Sequence, residues 1–378
     1  MVRRFLFFIL VVGCGFLLLA PGCGAAAGAR GGRVTVRYAH GFSVSYRDGV
    51  TLVTVTDPWP GAKGGFRYLL KPRGTPTPAG YDDCQVVETP VRRLVSLSTT
   101  HLAFLDVLGL VDRLKGFSTP DRVYTPSVRR AFAEGRIRAV GRGPNLQVET
   151  VLDLKPDLVL AFGTGTFRDA YPKLLEAGLK VAIDAEYMES HPLGRAEWLK
   201  FVALFFDKGA EAERIFSAME SRYLRLAALT RAVRHRPTVL TNTPFSGRWY
   251  VPRGDSFMAR FLADAGADYI WKDLRGTGSL PMAIEKVYDR GVDAAFWVNT
   301  GIWSSLAQAL RAAPRMADFR SVRTGRLYNR DRRVNAAGAN DYWESGMVRP
   351  DVILADLIRI FHPDLLPDHQ LYYYRKLQ

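Results

Sequence analysis

Arg93-Leu94-Val95-Ser96-Leu97-Ser98-Thr99-Thr100-His101-Leu102-Ala103-Phe104-Leu105 changes from one residue pattern to another partway along its length. Arg93 to Leu97 reads as a short buried strand. The residues from Thr100 to Leu108 carry apolar side chains at helical spacing, after hydroxyl residues suited to capping a helix start. The same change recurs downstream. Leu158-Val159-Leu160-Ala161-Phe162 and Val181-Ala182-Ile183 are further strand runs, and Thr238-Val239-Leu240-Thr241 and Ala294-Ala295-Phe296-Trp297-Val298 resume the alternation. Strands alternating with helices predict parallel sheets in an α/β architecture.

The segment 194–233 lacks proline and places Trp198, Phe201, Val202, Phe205, Ile215, Met219, Tyr223 and Leu224 at helical spacing. It predicts one long helix, or two broken at Asp207-Lys208-Gly209. The expected architecture is therefore two α/β lobes, 91–193 and 237–378, joined by a helical connector at 194–236 with a ligand cleft between them.

Residues 33–90 have a different texture. Val34 to Tyr38, Phe42 to Tyr46, Thr51 to Val55 and Phe66 to Leu70 alternate or are rich in β-branched residues, and Asp48-Gly49 is a hairpin turn signal. A small antiparallel β-meander is expected, followed by the Pro/Gly-containing segment from Pro72 to Gly80.

Met1-Val2-Arg3-Arg4, an apolar run from Phe5 to Ala20, and Pro21-Gly22-Cys23-Gly24 have the order of a secretory signal. The run is short for a membrane-spanning helix. Cys23 fits the bacterial lipoprotein rule, in which signal residues 1–22 leave and the cysteine is acylated; ordinary cleavage near Ala25 to Ala27 and an uncleaved anchor are the alternatives. Cys14 lies inside the apolar run. Residues 23–32, rich in Ala and Gly, read as a tether. With Cys23 acylated, Cys84 is left without a disulfide partner, so stability must come from apolar burial. The mature chain is long enough for two cores.

The formal net charge is +15, spread along the chain rather than blocked. It suits an anionic ligand or an acidic membrane surface; a secretion signal and the lack of any nucleic-acid module exclude nucleic acid as a partner. The six histidines, at 40, 101, 191, 235, 362 and 369, show no zinc-site spacing, so no metal site or resident cofactor is expected. Phe162-Gly163-Thr164-Gly165-Thr166-Phe167-Arg168 imitates a dinucleotide loop, but Arg168 stands where the third glycine belongs. No Gly-x-Ser-x-Gly elbow is present, and an enzyme is not expected.

Four segments in order resemble the periplasmic solute-binding proteins of ABC importers for ferric siderophores and vitamin B12: Arg93 to Leu105; Val140-Gly141-Arg142 through Val159; Ala263 to Asp273 with Met282 to Val287; and Asn340 to Gly346 with the helical run that follows. The resemblance covers about residues 91–363 and omits the meander. It implies capture of an iron chelate, haem or corrinoid and delivery to an ABC permease dimer driven by a cytoplasmic ATPase. The bearer would be a monomer in the periplasm or cell envelope, membrane-bound through its lipid anchor. It also implies that Glu149 and Glu285, one per lobe, dock on permease arginines, a charge-assisted contact. Glu149 equally suits a first helical turn for its dipole alone.

In the cleft, Thr99 and Thr100 belong to a helix start that favours anionic groups. His101 reads either as a ligand contact or as a solvated first-turn side chain. Phe245, Trp249, Trp303, Tyr342 and Trp343, together with Tyr250, are candidate apolar platforms for a bulky ligand. Arg142 and Arg248, ahead of Arg332 and Arg333, are candidates for its negative oxygens. A competing reading is a non-transport envelope scaffold that uses the meander for a protein partner; on the transport reading, removing the meander leaves capture intact. An envelope enzyme acting on the chelate would need a nucleophile or redox centre absent from these motifs.

Overall fold

The computed structural model describes residues 31–47, 49–301 and 303–378. The signal sequence, Cys14, Cys23 and most of the tether lie outside the described residues, as does Asp48 of the expected turn.

In the first lobe, five parallel strands lie in the order Arg138–Ala139, Leu114–Phe117, Leu94–Ser96, Leu158–Ala161 and Val181–Ile183. The inner strands are buried on both faces, which explains why they read as continuous apolar runs. The first strand in sequence sits at the centre, and the chain then builds outward to both sides. Such an order leaves a crevice at the carboxyl ends of the central strands, where successive connections diverge.

The second lobe orders Asp268–Tyr269, Thr238–Thr241, Phe296–Val298 and Leu327–Asn329 in parallel, with Arg375–Lys376 antiparallel at the edge. A separate three-stranded antiparallel sheet joins Pro244–Phe245, Arg248–Pro252 and Ser279–Met282.

The connector is two helices, Pro192–Leu204 and Gly209–Leu229, and Asp207 between them has φ +55°. The first is buried on every face. It nevertheless carries Arg195, Glu197 and Lys200, each paired: Arg195 with Glu186 at 2.5 Å and Lys200 with Glu197 at 2.9 Å. In place of two separate cores, one apolar core runs continuously from Val34 through both lobes to Leu377, with a smaller one on the other face of the first-lobe sheet. A large apolar junction of this kind restricts relative movement of the lobes.

The N-terminal region departs from the expected meander in two ways. Its strands are Phe42–Arg47, Val50–Val55, Phe66–Pro72 and Gln85–Thr89, and the last pairs in parallel with its neighbour, so the sheet is mixed. Val34 to Tyr38 forms no strand. The buried Glu197 carboxylate accepts the amides of Arg37, Tyr38 (2.6 Å) and Ala39 (2.9 Å), and Glu189 accepts those of His40 and Gly41. Backbone donors must be satisfied somewhere, and here charged side chains replace a strand ladder.

This sheet is also built into the first lobe. The edge strand Val181–Ile183 is completed by side chains: Gln85 Oε1 accepts from Val181 N at 2.9 Å, Gln85 Nε2 donates to Val181 O at 3.0 Å, and Tyr68 Oη accepts from Ile183 N at 2.9 Å. Removing residues 33–90 would uncover that edge and part of the core. Deletion therefore bears on first-lobe stability as well as on capture.

Candidate functional site

At the carboxyl ends of the first-lobe strands lies a cleft of about 820 Å³, within the ~300–1,000 Å³ range of small-molecule sites. Its first-lobe wall comes from the residues that directly follow four strands: Leu97 to Thr99, Ser118 with Thr119 and Arg122, Arg142 to Asn145, and the loop from Phe162 to Ala170. The second lobe contributes Gly338 to Asn340, Trp343 and Glu344. The strand order alone therefore accounts for the placement of the larger wall.

Three guanidinium groups, those of Arg122, Arg142 and Arg168, line the cleft from exposed positions, and among the described residues none forms an ion pair. The two carboxylates at the wall are turned to the protein. Asp169 Oδ2 accepts from Thr164 N and Gly165 N, each at 2.8 Å, and Oδ1 from Thr164 Oγ1 at 2.6 Å. Glu344 crosses to the first lobe, accepting from Tyr124 N at 2.6 Å, Thr125 N at 2.8 Å and Thr125 Oγ1 at 2.5 Å. Burial raises the Glu344 pKa above the ordinary carboxylate value, while its bonds to Thr125 and Tyr124 pull it back down. The free charge facing the cleft is positive.

Thr99 and Arg142 stand on the wall, as expected. Ser98 caps the helix Thr99–Val107, its side chain accepting from Thr100 N, and the Thr100 hydroxyl lies 2.9 Å from Ser98 Oγ rather than on the wall. Trp343, 36% exposed, is the aromatic ring that the second lobe brings to the wall, and the Arg330 guanidinium lies 4.3 Å from its ring centre.

His101 is neither a ligand contact nor solvated. It is fully buried, with Nδ1 3.0 Å from Ser96 Oγ and Nε2 3.7 Å from Asp184 Oδ2. Burial lowers its pKa to about 3. Burial, reinforced by the charge of Glu186, raises that of Asp184 well above the usual carboxylate value. Burial thus opposes the charged form of both groups, and with the imidazole neutral the contact is not an ion pair.

Trp249, Trp303 and Tyr342 belong to the core. Trp249 is 0% exposed, stacks on Trp297 at 5.4 Å and donates from Nε1 to Thr241 O at 2.9 Å. Trp303 meets the same Trp297 ring edge-on at 5.7 Å. Tyr342 is 3% exposed, packed edge-on against Trp343, Tyr373 and Tyr374. Trp249 and Trp303 fill the second-lobe core around Trp297, and Tyr342 packs among the C-terminal tyrosines. Phe245, Arg248 and Tyr250 are exposed on the antiparallel sheet of the second lobe, and Arg332 is exposed; none lines the cleft. Arg333 is held by Asp341 at 2.6 Å.

Among the wall residues that sequence reasoning missed are Arg122, Phe162, Arg168 and Asn340. Three of them were within reach, since Phe162 ends the predicted strand Leu158–Phe162, Arg168 lies in the loop after it, set aside as a failed dinucleotide motif, and Asn340 opens the fourth resembling segment. Glu149 and Glu285 are exposed in the first turns of the helices Val148–Asp153 and Ile284–Gly291, one on each lobe. Among the described residues no cluster of His, Cys, Asp and Glu is arranged to hold a metal ion, and no helix is long and apolar enough to cross a membrane.

The chain is similar to the uncharacterized lipoprotein MJ0878 of Methanocaldococcus jannaschii, with 28% identity over 326 residues, 82% of this chain and 76% of that protein. Among solved structures it shares its fold with a periplasmic binding protein from Veillonella parvula, at TM-score 0.57 and 14% identity, covering 85% of this chain and 98% of that one. The periplasmic heme-binding protein RhuT from Roseiflexus sp. RS-1 aligns at TM-score 0.54 and 21% identity, covering 72% and 99%. The family model described as periplasmic binding protein matches residues 94–334, the first lobe, the connector and the second lobe as far as the strand Leu327–Asn329, and the chain belongs to that family of binding proteins rather than to the enzymes.

Proposed function

We propose that this solute-binding protein of the ABC-transporter type captures a bulky anionic metal chelate, a siderophore complex, haem or a corrinoid, and delivers it to a membrane permease. The observation that carries the reading is the cleft wall: Arg122, Arg142 and Arg168 without carboxylate partners, beside the exposed rings of Phe162 and Trp343. Guanidinium forks match carboxylate and catecholate oxygens, and flat rings match a macrocycle or aromatic chelator. The polar groups on the wall, guanidinium, amide and hydroxyl, are hydrogen-bond donors for anionic oxygens rather than metal ligands. That chemistry suits a cargo whose metal arrives already wrapped by its own donors. The likeness to RhuT, a periplasmic heme-binding protein, supports a haem-type cargo, and the lipoprotein name of MJ0878 accords with acylation at Cys23.

Calorimetric titration of the mature domain with haemin, cobalamin, ferric citrate and a ferric tris-catecholate tests this. Saturable binding of one probe, weakened about tenfold or more by Arg142→Ala or Trp343→Ala, is expected. No binding across the four probes would overturn the reading.

A further inference from the structure

The N-terminal sheet lies outside the matched residues 94–334, yet one of its side chains reaches the cleft loop. Trp59 sits on the connection between strands Val50–Val55 and Phe66–Pro72, stacked on Tyr171 at 5.4 Å and edge-on to Phe66 at 6.0 Å. Its indole ring lies directly against the loop backbone. A Cβ added at Gly163 would stand 2.5 Å from Trp59 Cε3, and one at Gly165, where φ is +72°, 2.5 Å from Trp59 Cδ1. Only glycine permits this approach. The same loop is held from below by Tyr187 Oη, which donates to Gly163 O at 2.8 Å, and from within by Asp169.

The opposite side of that loop is cleft wall, where Phe162, Thr164, Thr166 and Arg168 stand. A segment with two glycines has wide backbone freedom, and holding it before the ligand arrives removes an ordering cost from binding. We infer that Trp59 is a positioning residue of the ligand site: its ring, seated on Gly163 and Gly165, sets where Phe162, Thr164 and Arg168 face the cargo. The inference rests on the cleft being the capture site. It gives the added sheet a role in recognition without direct ligand contact.

The test is calorimetry with whichever of haemin, cobalamin, ferric citrate or ferric tris-catecholate binds the wild type, paired with chymotrypsin cleavage after Phe167, which is 89% exposed at the loop tip. Trp59→Ala should weaken binding about tenfold and speed cleavage, and Trp59→Phe should recover much of both. Gly163→Ala, at a position free of positive φ, should weaken binding in the wild type by colliding with the ring. In the Trp59→Ala background it should add little, because the collision partner is gone. Wild-type binding and cleavage in Trp59→Ala would overturn the inference, as would a Gly163→Ala effect of equal size with and without the ring. If Trp59→Ala fails to fold, Trp59→Phe and Gly163→Ala decide the matter between them. If the wild type binds none of the probes, the capture reading fails, while the cleavage comparison still decides whether Trp59 holds the loop.

Discussion

Buried carboxylates in this protein serve as receivers for runs of backbone amides. Glu197 takes those of Arg37 to Ala39, and Asp356 takes those of Tyr372 to Tyr374, sewing the two ends of the described chain to internal helices. Glu197 also neutralises Lys200, itself fully buried. Glu197→Ala should therefore destabilise the fold by about 3 kcal/mol in urea unfolding, since it leaves a set of amides without their acceptor and takes one of two carboxylates from Lys200, which keeps Glu213 at 3.1 Å. At His101 the prediction concerns pH. The unfolded chain takes up a proton near 6.5 that the folded imidazole refuses until about 3, so His101 favours unfolding as pH falls through that window, by at most about 1.4 kcal/mol per pH unit. Asp184, whose pKa burial raises, acts in the opposite sense: the stability tied to its protonation is present at low pH and lost as pH rises through its folded-state value. The stability advantage of the wild type over His101→Asn should shrink across the histidine window. An NMR titration should show the imidazole neutral down to about 3; protonation near 6.5 would refute the buried neutral imidazole.

Strands and helices are where pattern reading worked best, because a strand buried on both faces must be apolar throughout. Leu94–Ser96, Leu158–Ala161 and Val181–Ile183 all fell on runs visible in the chain. The failure at Val34 to Tyr38 has a definite cause. Its alternation suits a strand, but its amides go to side chains: Val34 N to Tyr46 Oη at 2.7 Å, Thr35 N to Glu213, and Arg37 and Tyr38 N to Glu197, the two carboxylates lying far away in sequence. The parallel pairing of Gln85–Thr89 was likewise hidden, since pairing direction is decided by how the crossing segment travels. Tyr68→Phe should cost about 1–3 kcal/mol by leaving the Ile183 amide buried and unpaired. Hydrogen exchange at Ile183 should quicken correspondingly, and protection equal to the wild type would show that another acceptor takes over.

Across the whole molecule, Glu344 is a polar tie between lobes, carried on the second and bonded to Tyr124 and Thr125 of the first, beside Asn335, whose Nδ2 donates to Val123 O at 3.0 Å. Glu344→Ala should free those amides, cost about 1–3 kcal/mol and accelerate exchange at Tyr124 and Thr125 before global unfolding. Glu149 and Glu285, exposed on separate lobes, give a contrasting expectation. Replacing both with alanine should leave probe affinity unchanged while abolishing delivery to a reconstituted permease; intact delivery would remove them from docking. By itself the sequence determined the α/β alternation, the helical connector, the family resemblance and the positive balance, because each is a property of neighbouring residues or of composition. Tertiary structure decided which side chains line the cleft. Trp249, Trp303 and Tyr342 went to the core while Arg122, Phe162 and Arg168 took the wall, since facing the cleft depends on lying just past the carboxyl end of a central strand, and strand order is set by long-range pairing that no local pattern encodes.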